Sequence, residues 1–213
     1  MPVLGHVLIA IAAYLLGSIP TGFLVGRARG IDIRTVGSGN IGATNTFRFL
    51  GKGPGAFVLV ADALKGWLAV AVVAPIVAQL TASGSFESLQ LVAAMFVILG
   101  HNYTCWLRFK GGKGIATSAG VLIALVPWAF LIGLGVWILL FLITRYVSVG
   151  SLGASFVLPF AAWFTTCPHD PALTAVTGVM GALAIYKHRR NIQRLLDGTE
   201  HRVTLGGKKE AAP

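Results

Sequence analysis

The stretch that decides the fold is residues 114–144, GIATSAGVLIALVPWAFLIGLGVWILLFLIT, which contain no charged side chain. A single helix of that length, at about 1.5 Å per residue, would overshoot a hydrocarbon core about 30 Å thick. Lys113 precedes the stretch and Arg145 follows it, and basic residues that flank spans collect on the cytoplasmic side of a membrane. Both ends therefore belong on the same side, and we predict two short helices that turn back near Pro127.

The whole chain has the composition of a membrane protein. Of its 213 residues, 55% are hydrophobic and 11% are charged, whereas a soluble domain carries about 25% charged residues. It has 17 Lys and Arg against 7 Asp and Glu, a net charge of +10. In a soluble protein this excess would suggest nucleic acid, but here the basic residues lie between long apolar runs. We expect a lipid bilayer and small anionic substrates as partners, and no nucleic acid.

The apolar runs and the basic loops between them predict the topology. The charge-poor runs are roughly residues 3–26, 53–78, 88–107, 114–144, 147–165 and 171–186. Splitting the fourth gives an all-α polytopic protein with seven transmembrane helices, its N-terminus outside and its C-terminus cytoplasmic. This puts 16 of the 17 basic residues in the cytoplasm and Lys65 inside span two; one tilted helix at 114–144 would put Arg145 and the basic tail outside. Residues 1–198 should form one transmembrane domain, and residues 199–213 a flexible cytoplasmic tail.

A cluster of small polar residues lies in the first predicted cytoplasmic loop. It reads GSGNIGATN at residues 37–45, with Arg48 shortly after. The glycines match the GxGxxG dinucleotide pattern, and Asp62 lies 20 residues beyond Gly42, as such a site requires. We reject this match because Asp62 lies in an apolar run long enough to span the membrane, not in a strand. A polar functional site and a flexible glycine turn both stay open.

The second loop, FKGGKGIAT at residues 109–117, has features of a phosphate-binding loop. It is not a Walker A motif, because Gly114 follows Lys113 where Ser or Thr is required. Glycines nevertheless let backbone N–H groups approach an anion, the following helix offers its positive N-terminal end, and Lys110 and Lys113 add charge. The alternative is a basic loop that only anchors the topology.

A third polar group follows the last predicted span. His188, Asn191 and Arg194 recur at a spacing of three, so on a continuing helix they share one face. The alternative is a basic helix lying on anionic headgroups. Asp62 and Lys65 stand about one turn apart in span two, which favours a structural ion pair beneath the site.

Two common kinds of active site have no counterpart in the sequence. The 7 acidic residues form no carboxylate cluster in a cytoplasmic loop of the kind that binds Mg²⁺, so we expect no metal. An HxxxxD acyltransferase pair is also missing, because Trp106 stands five residues after His101 and Gln193 five after His188.

Together the three motifs, GSGNIGATN with Arg48, FKGGKGIAT and HRRNIQRLLDGTE, resemble the bacterial acyl-phosphate glycerol-3-phosphate acyltransferases, the membrane PlsY family. The resemblance implies transfer of a fatty acyl group from acyl phosphate to the 1-hydroxyl of glycerol 3-phosphate. The products would be lysophosphatidate and phosphate, in the first step of phospholipid biosynthesis at the bacterial inner membrane. It implies no cofactor, no metal, no CoA and a monomer. Thr104 departs from the family pattern, in which a proline often stands there.

The resemblance also assigns residues. The acyl donor's phosphate would lie on the glycine-rich second loop, with Lys110 or Lys113 shared between the two substrates, and the acyl tail would lie in an apolar groove entered from the bilayer. The catalytic residues implied are Ser38, Arg48, Lys113, His188 and Asn191. The substrate-binding residues implied are Gly37, Asn40, Asn45, His101, Lys110, Gly111, Gly112, Gly114, Thr117 and Arg194. Either His188 or the substrate's own phosphate could take the hydroxyl proton. A transporter of phosphate or an organophosphate is the alternative function, although transporter sites commonly lie at the bilayer midplane within repeats.

Overall fold

The structure is a computed structural model that describes residues 2–81 and 86–204. Within these two ranges all regular secondary structure is helical. Residues Ala69–Val73 form a π-helical turn, and Cys105–Leu107 form a 3₁₀ turn. The α-helices are α1 Pro2–Ser18, α2 Thr21–Ala28, α3 Ala43–Leu50, α4 Lys52–Leu68, α5 Ala74–Thr81, α6 Phe86–Asn102, α7 Ile115–Leu125, α8 Pro127–Thr144, α9 Val147–Thr165, α10 Pro171–Lys187 and α11 Arg189–Leu196.

The helices include several that can cross a membrane. Five helical stretches of the described chain are long and apolar enough to do so: Val3–Ala28, Lys52–Thr81, Phe86–Leu107, Pro127–Thr144 and Val147–Thr165. The helices α7 and α10 are also apolar but are shorter, at 11 and 17 residues. The all-α membrane class is thus confirmed, while the count of seven spans and their orientation stay predictions.

The long uncharged stretch divides at Pro127. The helix α7 ends at Leu125, Val126 leaves the helical region with φ −144° and ψ 70°, and α8 begins at Pro127. Proline disfavours helical geometry in the residue before it and lacks the N–H that the preceding turn would need. The same residue suits the first position of a new helix. The predicted division into two helices is therefore confirmed at the predicted residue.

Two pairs of glycines bring helix backbones into contact. A methyl group on Gly66 of α4 would collide with the carbonyl of Thr117, and one on Gly120 of α7 would collide with the carbonyl of Ala63. Gly17 and the α6 residue Gly100 form an equivalent pair between α1 and α6. The hydrophobic effect does not drive helices together in lipid. Their packing depends instead on small residues, which allow the backbones to approach closely. These contacts fix α7, and so the loop that precedes it, against α4.

A buried polar cluster connects three of the helices. The carboxylate oxygen Oδ1 of Asp62 lies 2.8 Å from Nζ of Lys65 and accepts a hydrogen bond of 3.1 Å from the hydroxyl of Thr21. The ammonium of Lys65 also donates to the carbonyl of Ile19 at 3.0 Å. Nδ1 of His101 lies 3.6 Å from the same carboxylate oxygen. The expected ion pair is therefore present, and it joins α4 to the start of α2 and the end of α6.

The start of the predicted tail is ordered against the helices. Glu200 accepts hydrogen bonds of 2.7 Å from Asn191 and from Arg194, and the N–H of Val203 donates to the carbonyl of Arg145 at 2.9 Å. Hydrogen bonds to an ionised carboxylate are stronger than those between neutral groups. Residues 199–203 of the predicted tail thus contact the helices, the flexibility of the tail stays a prediction, and residues 205–213 lie outside the described residues.

The glycine contact between α4 and α7 can be tested by stability. We expect Gly120→Val to destabilise the protein by at least about 1–3 kcal/mol, since a side chain there must push two helix backbones apart. Gly135→Val is the matched control, because Gly135 lies on an exposed part of α8 and a methyl group there would meet no atom within 4 Å. Thermal unfolding in detergent should show a lower midpoint for Gly120→Val alone. Equal midpoints for the two variants would contradict the packing argument.

Candidate active site

One cavity of about 670 Å³ joins a polar end to an apolar groove. At the polar end it is lined by residues of the first loop, of the loop before α7, and of the junction between α10 and α11. Beyond them the lining is mostly apolar and comes from α4, α7, α8, α9 and α10. The cavity is therefore shaped for a molecule with an anionic head and a long apolar part.

Two helix N-termini converge on the polar end. The cavity is lined by residues 42–45 at the start of α3 and by residues 113–116 at the start of α7. The first-turn N–H groups of a helix have no partner within the helix, and the helix dipole makes this end positive. Such ends are ready sites for phosphate. Two of them in one cavity, beside the side chains of Arg48, Lys113 and Arg194, can hold two phosphate groups.

The first loop is held in shape by Asn45. Its side-chain amide donates to the carbonyls of Ile33 and Val36, both at 3.1 Å, and its side-chain oxygen accepts from the N–H of Ser38 at 3.1 Å. Asn45 is buried and these bonds use both ends of its amide. Although Asn45 lines the cavity as predicted, its contacts position Ser38. The positive φ of Gly37, 56°, explains the glycine beside Ser38, because a left-handed backbone favours glycine.

The second loop does not present its first two glycines to the cavity. The N–H of Gly111 donates to the carbonyl of Asn102 at 3.2 Å, and the N–H of Gly112 donates to the carbonyl of His101 at 3.0 Å. A methyl group on Gly112 would collide with the imidazole of His101. Both glycines are therefore required for packing, and neither lines the cavity. Lys110 is exposed and also lies outside the lining.

Residues further along this loop do line the cavity. Gly114 has φ 82° and caps the N-terminus of α7, and it lines the cavity together with Lys113, Ile115 and Ala116. Of the predicted phosphate cradle over residues 111–114, only Lys113 and Gly114 therefore face the cavity, and phosphate binding by this loop stays a prediction. The sequence could not show this, because the backbone bonds that occupy the first two N–H groups come from the end of α6.

Thr117 lies on the wrong side of α7 for the predicted contact with substrate. It is completely buried, its carbonyl packs against Gly66, and it does not line the cavity. The next residue, Ser118, lines the cavity instead. Successive residues on a helix point about 100° apart, so an error of one residue in the helix phase moves a side chain from the site to the packing face.

The three residues predicted to share a face of the third motif, His188, Asn191 and Arg194, all line the cavity. The helix does not continue through them, because His188 lies between the end of α10 at Lys187 and the start of α11 at Arg189. The amide oxygen of Asn191 accepts from Nζ of Lys113 at 2.5 Å, and its amide nitrogen donates to Glu200. The side-chain amide of Asn191 thus connects the second motif, at Lys113, to the end of the third motif, at Glu200. The predicted residues Gly37, Ser38, Asn40, Arg48 and His101 also line the cavity.

Glu200 is a site residue that the sequence analysis missed. Burial alone would raise the pKa of its carboxyl, but hydrogen bonds from Asn191 and Arg194 outweigh burial and lower that pKa. Glu200 is therefore a carboxylate at neutral pH. The available signal was the acidic residue that ends the third motif, which also contains Asp197 among its basic residues.

The surroundings of Lys113 destabilise the positive charge of its ammonium group. Burial, together with the positive charges of Arg194 and Arg48 and against the opposing charge of Glu200, lowers the pKa of its ammonium to about 8. One carboxylate and three cations leave a surplus of positive charge at the polar end. A bound phosphate would stabilise this surplus.

The imidazole of His188 has a defined hydrogen on one nitrogen. Its Nδ1 lies 2.8 Å from the carbonyl of Ala184, and a carbonyl can only accept, so Nδ1 carries the hydrogen and Nε2 of the neutral ring carries a lone pair. Burial lowers the pKa of His188 to about 4, and the charge of Lys113 contributes. At neutral pH the ring is uncharged and can accept a hydrogen bond from a hydroxyl.

Across residues 2–81 and 86–204, no three His, Cys, Asp or Glu side chains group closely enough to hold a metal.

Comparisons with known proteins show which family the chain resembles. A family model described as glycerol-3-phosphate acyltransferase matches residues 7–198. The glycerol-3-phosphate acyltransferase of Trichlorobacter lovleyi is 46% identical over 188 residues, which are 88% of this chain and 92% of that relative. One from Synechococcus strain JA-2-3B'a(2-13) is 48% identical over 197 residues, 92% of this chain and 94% of the relative.

Solved structures share the fold as well. The crystal structure of PlsY, an integral membrane glycerol 3-phosphate acyltransferase, in its glycerol 3-phosphate form has a TM-score of 0.84 at 39% identity, covering 93% of this chain and 96% of that one. Its lysophosphatidic acid form has a TM-score of 0.81 at 38% identity, with 93% and 95% covered. The resemblance that the three motifs indicated is confirmed. The chain belongs to the glycerol-3-phosphate acyltransferase family, as an integral membrane acyltransferase of the PlsY type.

Proposed function

We propose that this acyltransferase moves a fatty acyl group from acyl phosphate to the 1-hydroxyl of glycerol 3-phosphate, giving lysophosphatidate and inorganic phosphate. The observation that carries this is one cavity with two helix N-termini at its cationic end and an apolar groove beyond them. An acyl phosphate is already activated, so the protein needs no CoA and no metal. It must align two anionic reactants and stabilise the departing phosphate and the carbonyl oxyanion.

The donor is placed by α7. Residues of this helix line both the polar end, at Ile115 and Ala116, and the apolar groove, at Leu122 and Ile123. An acyl phosphate with its chain along this helix has its phosphate at the N-terminus of α7, beside Lys113. Both Ile123 and Leu134, on the neighbouring helix α8, are more than a third exposed, so the groove is open to lipid for entry of the chain.

Glycerol 3-phosphate takes the opposite side of the polar end. The N-terminus of α3 and the guanidinium of Arg48 would bind its phosphate, and Asn40 and the hydroxyl of Ser38 would bind its glycerol part. His188 faces the same space. Asn191 already contacts Lys113, so it would hold the ammonium between the two phosphates.

The proton goes to a phosphate rather than to His188. The hydroxyl oxygen attacks the acyl carbon, the bond from that carbon to the phosphate oxygen breaks, and the hydroxyl proton must be accepted. Burial lowers the pKa of His188 to about 4 in the substrate-free protein, which makes it a weaker base than a free phosphate monoester, whose second pKa is about 6. Nε2 of His188 therefore orients the hydroxyl, and the phosphate of glycerol 3-phosphate takes the proton.

The protein would act as a monomer in the bacterial inner membrane. Seven spans, with α7 and α10 as short ones, would place the polar end on the cytoplasmic side, where 16 of the 17 basic residues then lie. This is where glycerol 3-phosphate is found. Membership of the acyltransferase family disfavours the transporter alternative.

Release of phosphate tests this function directly. Purified protein given acyl phosphate and glycerol 3-phosphate, without CoA and with EDTA, should release phosphate and form lysophosphatidate. Ser38→Ala and Lys113→Ala should each lower kcat/KM by about 10²-fold or more, since each removes a group at a reacting anion. Lys110→Ala is the matched control and should keep wild-type activity. No release by folded wild-type protein would refute the function, and equal losses in the two lysine variants would refute the placement of Lys113.

The role of His188 is tested by separating kcat from KM. We expect His188→Ala to raise the KM for glycerol 3-phosphate while kcat falls by less than about tenfold, because a general base is worth about 10²–10⁴-fold. His188→Gln keeps a hydrogen-bonding side chain and should recover part of the lost affinity. If both variants instead lose about a hundredfold or more in turnover, with KM unchanged, His188 is the base.

The charge of Lys113 predicts a pH dependence. Its pKa of about 8 in the free protein means that the cation is lost as the pH rises above that value, so kcat/KM for acyl phosphate should fall there. Lys113→Arg should move this fall to much higher pH, because guanidinium stays charged. Activity measured across the alkaline range checks this. A fall at the same pH in both proteins would assign it to another group.

A further inference from the structure

The apolar end of the cavity contains a space beside Gly133. Gly133 and Ala129 are the buried residues of α8, and Gly133 lines the cavity. A methyl group built on Gly133 would meet no atom within 4 Å. Close helix contact therefore does not require a glycine here, in contrast to Gly66 and Gly120. The missing side chain leaves room in the groove.

This space lies far from the polar end. Gly133 stands 11 residues before the end of α8 at Thr144, which is about 16 Å along a helix. The end of α8 is close to the polar end, because the carbonyl of Arg145 accepts from Val203 in the segment that carries Glu200. Leu158 lines the groove 11 residues beyond the start of α9 at Val147, also about 16 Å. Only the last methylenes of an acyl chain whose phosphate is at the polar end reach this level.

We propose that Gly133 determines the longest acyl chain that the enzyme accepts, an inference that rests on the proposed acyl-phosphate reaction. The chemical class recognised is the distal end of an acyl chain, in the part of the cavity whose lining also includes Phe130, Leu158 and Met180. Met180 and Leu158 are both buried, so the wall that they form does not open to the surroundings. A side chain at position 133 takes the room of terminal methylenes and leaves the phosphate and carbonyl positions unchanged.

The expected effect depends on chain length. Each methylene that can no longer be buried weakens binding by about fourfold. A leucine side chain displaces several methylenes of a long donor and none of a short one. A long chain can bend elsewhere and recover part of this, so we expect a loss of at least about tenfold for long donors.

Gly135 provides a matched control on the same helix. It lies two residues after Gly133, so it points to the far side of α8, and it is exposed. A methyl group on Gly135 also meets no atom within 4 Å. Gly135→Leu therefore makes the same change in helix propensity and hydrophobicity without entering the groove.

The experiment compares wild type, Gly133→Leu and Gly135→Leu with acyl phosphates of about eight and about sixteen carbons, whose difference in buried methylenes sets the expected ratio. Gly133→Leu should lose at least about tenfold in kcat/KM on the long donor and stay within about threefold of wild type on the short one. Gly135→Leu should match wild type on both. Wild-type selectivity in Gly133→Leu would overturn the inference while leaving the proposed function intact. A wild-type protein inactive on both donors would overturn the proposed function instead.

If Gly133→Leu fails to fold or loses activity on both donors, a smaller substitution at the same position still tests the inference. Gly133→Ala adds one methyl group into open space, and thermal unfolding should show wild-type stability. In a mixture of the two donors it should lower the ratio of long-chain to short-chain product by about fourfold. An unchanged product ratio in folded Gly133→Ala would overturn the inference.

Discussion

The structure depends on the buried carboxylate of Asp62. A charge inside a membrane protein is costly unless it is paired and hydrogen-bonded, and this one is met by Lys65, by Thr21 and, at 3.6 Å, by His101. These partners lie on different helices. The requirement to satisfy one carboxylate therefore fixes how α2, α4 and α6 meet, directly beneath the polar end of the cavity, where Asp62 and His101 are both part of the lining.

The active-site loop is built on this cluster. The carbonyl of His101 accepts from the N–H of Gly112, and the imidazole leaves no room for a side chain there. Lys113 is the next residue, and its ammonium bonds to Asn191 across the cavity. Asn191 in turn bonds to Glu200. A chain of contacts thus runs from an ion pair within the helices to the segment after α11, and it places a lysine at the N-terminus of α7. In the proposed reaction, that ammonium and that helix end would stabilise the charge of the departing phosphate.

Much of the fold could be predicted, since long uncharged runs and a proline leave few alternatives. The division at Pro127 and the closeness of Asn191 and Arg194 on one face of α11 follow from local geometry. Which of the predicted residues line the cavity depends on tertiary structure. The N–H groups of Gly111 and Gly112 are occupied by carbonyls at the end of α6, and Thr117 differs from Ser118 by one step of helix rotation. Glu200 enters the site because the chain after α11 turns back, which no spacing along the sequence indicates.

In the proposed reaction, the N-terminus of α7 with Lys113, and not the two glycines before it, holds the phosphate of the acyl donor. A structure with a non-hydrolysable acyl phosphonate tests this most directly. We expect phosphonate oxygens within hydrogen-bond distance of Nζ of Lys113 and of the N–H groups of Ile115 or Ala116, with the bonds of Gly111 to Asn102 and of Gly112 to His101 intact. A phosphonate bound to the N–H groups of Gly111 and Gly112, with those two bonds broken, would contradict the account.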